Sequence, residues 1–154
     1  MARLTVPVKI RWSDIDGYGH VNNAAMLTLL EEARIAAFWA DPADGDGATA
    51  GSILATGDGS RTATLIAHQE IEYLAPLTYT TAPLQVQMWL SDLGGASLEV
   101  CYEVPGPEGV VARAMTTLVL VDTETGRPRR ITEEERAAWS ELLDEPVAFR
   151  RRSS

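Results

Sequence analysis

The run that follows Asn22 does most to limit what this chain can fold into. From Asn23 to about Ala40 the sequence holds a helical pattern of 18 residues, about 27 Å long at 1.5 Å per residue. After Asn23, only Thr28, Glu31, Glu32 and Arg34 interrupt its apolar character. A helix apolar on most of its sides belongs in an interior and needs a cover. No apolar run approaches the ~20 residues that span a bilayer. The cover is therefore expected from protein, with no membrane segment.

The rest of the chain supplies that cover as strands. Leu4, Val6, Val8, Ile10 and Trp12 alternate with Thr5, Pro7, Lys9 and Arg11, which predicts a strand with one buried face. Pro7 has no backbone donor and points to an edge or a bulge. A Gly-, Ala- and Asp-rich connection fills 41–60, with room for a short element at 52–55. Strands are then expected over 61–73, 82–90, 97–104 and 110–122, separated by Pro- and Gly-rich turns. In the third of these, Leu98, Val100, Tyr102 and Val104 share a face. Thr132 and Glu135 fit a capping box and open a short final helix at about 132–144, striped by Trp139, Leu142 and Leu143. The basic tail Arg150–Arg152 is expected to fray. The expected fold is α+β: one domain over 1–154, with a five-stranded, mostly antiparallel sheet wrapped around one long buried helix.

The formal net charge of −9 disfavours nucleic acid, because phosphate contacts want a basic surface. Any phosphorylated ligand must be held locally, by Arg clusters or backbone amides. Cys101 is the only cysteine, so neither an internal disulfide nor a cysteine metal site can form. The N-terminus has no apolar signal core, and a cytoplasmic location is expected.

Chemistry concentrates just before the helix. Asp14, Asp16, His20, Asn22 and Asn23 lie between a strand and a helix start. The first amides of a helix lack intrahelical partners and carry partial positive charge, so they suit a developing oxyanion. A carboxylate a few residues upstream can face the same carbonyl carbon as base or nucleophile. Turn chemistry competes for Asp16, and helix capping for Asn22. Structural support is the better reading for Asp14. Two imitations fail. Gly17-x-Gly19 lacks the third glycine and the βαβ context of a dinucleotide loop. The acids at 41, 44 and 46 have the wrong spacing for calcium and no closing Glu.

The segment Asp14-Ile15-Asp16-Gly17-Tyr18-Gly19-His20-Val21-Asn22-Asn23, followed by Glu31-Glu32-Ala33-Arg34, resembles the 4-hydroxybenzoyl-CoA thioesterase family of hotdog-fold proteins. It is also similar to acyl-carrier-protein thioesterases. Ile71-Glu72-Tyr73-Leu74-Ala75-Pro76 is similar to the family's second strand, and the likeness runs from about Val6 to Asp122. The resemblance implies an acyl-CoA or acyl-carrier-protein thioesterase with no cofactor beyond the CoA of its substrate and no metal. It implies Asp16 as the catalytic carboxylate, backbone N–H groups near Asn23 as the oxyanion hole, and His20 and Asn22 as orienting groups. It further implies a homodimer or tetramer with sites at the subunit interface.

Met26 stands where the family often has an aromatic, which bears on the acyl pocket. Tyr18 and Met26 are candidate substrate contacts, as are Met88 and Trp89 if they are not plain core. Arg127, Arg129 and Arg130 form a basic patch that is a candidate for the CoA phosphates, with a solvated turn as the competing reading. Glu32 is the alternative acid, and Glu31 with Arg34 reads as an intrahelical pair. His68 reads as a solvated strand residue. The rival functions are an acyl-thioester hydratase or dehydratase and a non-catalytic acyl-CoA binder.

Overall fold

The computed structural model describes residues 3–38 and 61–150. In chain order these form β1 (Leu4–Val8), α1 (Asn23–Phe38), β2 (Thr62–Tyr73), β3 (Leu84–Leu93), β4 (Ser97–Gly106), β5 (Gly109–Asp122) and α2 (Glu133–Trp139). The expected connection at 41–60, the last turn of the long helix and Arg151–Arg152 lie outside the described residues.

The strands build one antiparallel sheet in the order β1-β3-β4-β5-β2, so the fold is α+β. β3, β4 and β5 follow one another as hairpins, and their alternating apolar residues fall on one face. Val86, Met88, Leu90, Leu98, Val100, Tyr102, Leu118 and Leu120 are buried there with Ile10. Pro7 stands opposite Gln85 on β1, an edge strand, as its missing donor requires.

α1 covers that face. Met26, Leu29, Leu30, Ala33, Ala37 and Phe38 recur at helical spacing and are buried. Arg34 is buried with them. Its guanidinium donates to the Tyr102 hydroxyl at 3.1 Å and lies 3.7 Å from Glu31. The expectation of a helix buried on most sides holds for one face only. Ala24, Thr28, Glu31, Glu32 and Ala36 are exposed on the described chain, with Leu27 and Ile35 half-buried between them. Apolar composition marked the helix as needing cover, and a single sheet covers half of it.

Two further expectations give way to the structure. The first strand stops at Val8, and Trp12 enters a single 3-10 turn over Trp12–Asp14. Trp12 is 76% exposed and meets Tyr79 edge to face at 5.3 Å between centroids. Of the tail expected to fray, only Arg150 is described, and it is bonded at the end of a strap. The strap crosses the outer face of the sheet, where Asp144 N–H donates to Leu90 O and Trp89 Nε1 to Glu145 O. Arg113 then donates to Ala148 O, and Arg150 N–H to the Glu72 carboxylate. This strap buries Trp89 and Cys101, which stand opposite one another on β3 and β4. Burial pushes the Cys101 thiol up, so it stays protonated and inert. The Arg3 guanidinium closes the other side of the Trp89 ring at 3.7 Å.

α2 begins as its sequence requires. Thr132 Oγ1 accepts the Glu135 amide at 3.1 Å, and the Glu135 carboxylate accepts the Thr132 amide at 2.9 Å. The same carboxylate takes a bidentate pair from Arg129 at 2.7 and 2.9 Å. The helix ends at Trp139 and continues as a 3-10 turn over Ser140–Leu142. Arg129's hydrogen bonds are the main reason the Glu135 carboxyl is held below its ordinary range. A carboxylate with a lowered folded pKa stabilises the fold above its unfolded pKa and loses that share as pH falls through the folded value. Glu135→Gln should therefore cost about 1–2 kcal/mol at neutral pH, measured by urea unfolding. The gap should narrow below about pH 4, where the unfolded wild-type carboxyl takes up its proton. A gap that does not change with pH contradicts this account.

Candidate active site

Between β1 and α1 the chain makes a small closed loop. Ile15 and Val21 bridge as antiparallel partners, Asp16 N–H donates to His20 O at 2.8 Å, and Gly19 N–H returns to Asp16 O at 3.1 Å. Gly19 has φ +79°, a left-handed conformation that glycine adopts without strain. The loop is stitched to the stretch after β2: Val21 N–H donates to Leu77 O at 2.7 Å, and His20 bridges Thr78.

The two acids have different surroundings. Asp14 is 2% exposed. Its carboxylate accepts the Arg11 amide at 2.8 Å and the Arg11 guanidinium at 2.9 Å. The Arg11 side-chain hydrogen bond, ahead of the cost of burial, holds its carboxyl below the ordinary range. Its backbone carbonyl accepts the Asn22 amide at 2.8 Å, so Asp14 braces the loop against the helix start. Asp16 is half-buried. Its Oδ1 accepts the amides of Tyr18 at 2.8 Å and His20 at 3.1 Å. Among the described residues no group donates to its Oδ2. One oxygen thus fixes the side chain and the other stays open.

At the helix start, Asn22 Oδ1 accepts the amides of Ala24 at 2.8 Å and Ala25 at 3.2 Å. The Met26 amide already donates to Asn22 O at 2.9 Å. The Asn23 amide is left as the first-turn N–H that donates to no protein atom among the described residues. Asp16, His20, Asn23 and Met26 line a cavity of about 250 Å³, walled otherwise by Val21, Tyr73, Ala75, Pro76, Leu77 and Val111. The residues that carry a carboxylate, an imidazole and an unspent helix amide thus line one cavity. This is the equipment for attack on a carbonyl carbon with stabilisation of its oxygen.

The other candidates fall in different places. Asn22 is spent on capping and is not a cavity wall. Tyr18 is 88% exposed and lies outside the cavity walls. Glu32 is on the exposed side of α1, Met88 is core, and Trp89 is on the opposite face of the sheet. Arg129 is committed to Glu135 and to Thr62 Oγ1. Arg127 is exposed. Both lie alongside the far end of β5: Arg129 bonds Leu120, about 30 Å along the strand from Val111 at 3.3 Å per residue. His68 is exposed on β2, 3.9 Å from Glu70. The walls supplied by Tyr73, Ala75, Pro76, Leu77 and Val111 were not among the expected site residues. The one signal for them was the Tyr-x-x-Pro that ends β2.

Comparison with known proteins finds relatives in sequence pattern and in fold. The model of the thioesterase-like superfamily matches residues 10–141. Among solved structures, a predicted thioesterase from Bacillus stearothermophilus is similar in fold, with TM-score 0.73 and 24% identity over 95% of this chain and 100% of that one. A probable thioesterase from Escherichia coli is 27% identical over 92% of this chain and 99% of its own, with TM-score 0.66. A thioesterase from Thermus thermophilus, solved with coenzyme A and zinc, is 26% identical over 94% and 96%, with TM-score 0.64. No curated protein matches the sequence.

Asp14→Ala keeps the carbonyl that accepts the Asn22 amide but removes the acceptor of the Arg11 amide and guanidinium, so the carboxylate's brace on the Arg11 turn is lost. The substitution is expected to cost about 1–3 kcal/mol of stability by thermal or urea unfolding. An unchanged midpoint contradicts the bracing role.

Proposed function

The chain belongs to the thioesterase-like superfamily and is a thioester hydrolase; from that premise we propose that it cleaves an acyl-CoA in the cavity at the start of α1. One observation carries the assignment: Asp16 Oδ2 and the Asn23 N–H, both without protein partners among the described residues, belong to residues lining the same cavity. The thioester carbonyl oxygen points to the Asn23 amide. Asp16 then either takes a proton from an attacking water or attacks the carbonyl carbon itself. In both cases the carbonyl electrons move onto oxygen, where the helix N-terminus stabilises them. Collapse of the tetrahedral species expels the CoA thiolate and leaves the free acid in the water route or the acyl–Asp16 anhydride in the direct route. In the direct route, water then hydrolyses the acyl–Asp16 anhydride. His20, held by its bridge to Thr78, orients the water or the thioester.

The walls also bear on the acyl group. Among the described residues no Lys or Arg lines the cavity, and Asp16 adds negative charge. An acyl group ending in a carboxylate meets repulsion there with nothing to pair it. The preferred substrate therefore carries an uncharged acyl group, and Met26 sets part of its shape. The narrower likeness to 4-hydroxybenzoyl-CoA thioesterases belongs to the same proposal. So does the lack of a metal or organic cofactor beyond substrate CoA.

A homodimer completes the reading. β2 is an edge strand of 12 residues, and Leu65 and Ile66 are 59% and 44% exposed on it. An open edge of that length invites pairing with a second copy. With Arg129 committed to Glu135, Arg127 and Arg130 are the remaining candidates for the CoA phosphates. In this reading a two-fold pairing through β2 would bring them, near the far end of β5, toward the partner's site.

Asp16→Asn should lower kcat by about 10²–10⁴-fold while the fold survives, with free thiol measured over a panel of acyl-CoA esters. The same panel should favour neutral over carboxylate-ended acyl groups. Full activity in the variant, or enoyl hydration without thiol release, contradicts the assignment. Leu65→Lys should convert a wild-type dimer to monomer by light scattering. A monomeric wild type contradicts the interface.

A further inference from the structure

The hydroxyl of Tyr73 donates to the Asn23 carbonyl at 2.5 Å, across 50 residues of sequence. Tyr73 is the last residue of β2, held opposite Ala112 of β5, so its backbone is fixed by the sheet. Its ring is a wall of the cavity that Asp16 and Asn23 share. The bond is not needed to satisfy the helix, because a carbonyl oxygen carries two lone pairs and the ordinary helical bond uses one. What the extra bond adds is a rigid tie between strand and helix start, at the residue whose own N–H is unspent. Helix ends otherwise fray within their first turn. Burial raises the pKa of the Tyr73 hydroxyl, so it remains a donor throughout the neutral range.

We propose that Tyr73 is a positioning residue for the hydrolysis: through the Asn23 carbonyl it holds the first turn of α1 so that the Asn23 N–H stays aimed at the thioester oxygen. The inference rests on the reading of the cavity given above. Tyr73 acts through Asn23 and performs no proton transfer of its own. Its effect belongs to the transition state, where the oxygen carries charge, and not to ground-state binding.

The test is Tyr73→Phe in the full chain, which keeps the ring and removes only the hydroxyl. On the neutral acyl-CoA that the wild type cleaves best, kcat should fall about 10- to 100-fold with KM within about twofold. Amide hydrogen exchange at Ala24, Ala25 and Met26, followed by NMR in the free protein, should speed up in the variant. The rest of α1 should exchange as before. An unchanged kcat, a loss carried wholly by KM, or unchanged exchange in the first turn overturns the proposal. A wild type that cleaves no thioester overturns the reading of the cavity and, with it, Tyr73's share in catalysis. An active wild type with an indifferent Tyr73→Phe overturns the positioning claim alone.

Discussion

The start of α1 is fixed from three directions, and the site depends on that. Asn22 caps it from within, accepting two amides on one side-chain oxygen. Asp14 holds Asn22 from the loop side through its backbone carbonyl, and is itself held by Arg11. Tyr73 ties Asn23 to the end of β2. Between them these bonds use up the first-turn amides except Asn23's, and Asn23 lines the same cavity as Asp16. Helix ends are ordinarily the soft part of a helix. This one is rigid because strand, loop and cap converge on it.

The sheet divides the molecule into two unlike faces. The inner face is apolar and takes one side of α1. The outer face is closed near β3 and β4 by the strap over Trp89 and Cys101, with Arg3 on the other side of the ring. The two edges differ as well. β1 is short and carries Pro7, which blunts it, whereas β2 is long and exposes Leu65 and Ile66. The outer side of α1 and the open edge of β2 are therefore the surfaces that the described chain leaves uncovered. The same reasoning that places the site also says where a second copy would add to it.

Much of this was legible in the sequence because it depends on local chemistry. Alternation of apolar residues located β3, β4 and β5, and a proline marked β1 as an edge. Asn22, Thr132 and Glu135 announced two helix starts through side chains that reach backbone amides a few residues away. The separate roles of Asp14 and Asp16 came from their position in the loop and from family resemblance, and the structure gives them unlike partners. What stayed hidden depends on contacts across long stretches of chain. Trp12 continued an alternation that the 3-10 turn breaks. Arg129 looked like a free cation, but Glu135 takes its guanidinium. The strap makes its bonds to β2, β3 and β5 from residues with no periodicity to betray them. The cavity walls at Leu77 and Val111 meet Asp16 only once the sheet has formed.

The central claim is that the thioester is activated at the junction of loop and helix. A crystal structure with an acyl-CoA analogue whose thioester sulfur is replaced by CH₂ tests it most directly. The account predicts the ketone oxygen within hydrogen-bonding distance of the Asn23 N–H, with Asp16 facing the carbonyl carbon or a water beside it. A ketone bound away from Asn23, with Asp16 turned from it, would contradict the account.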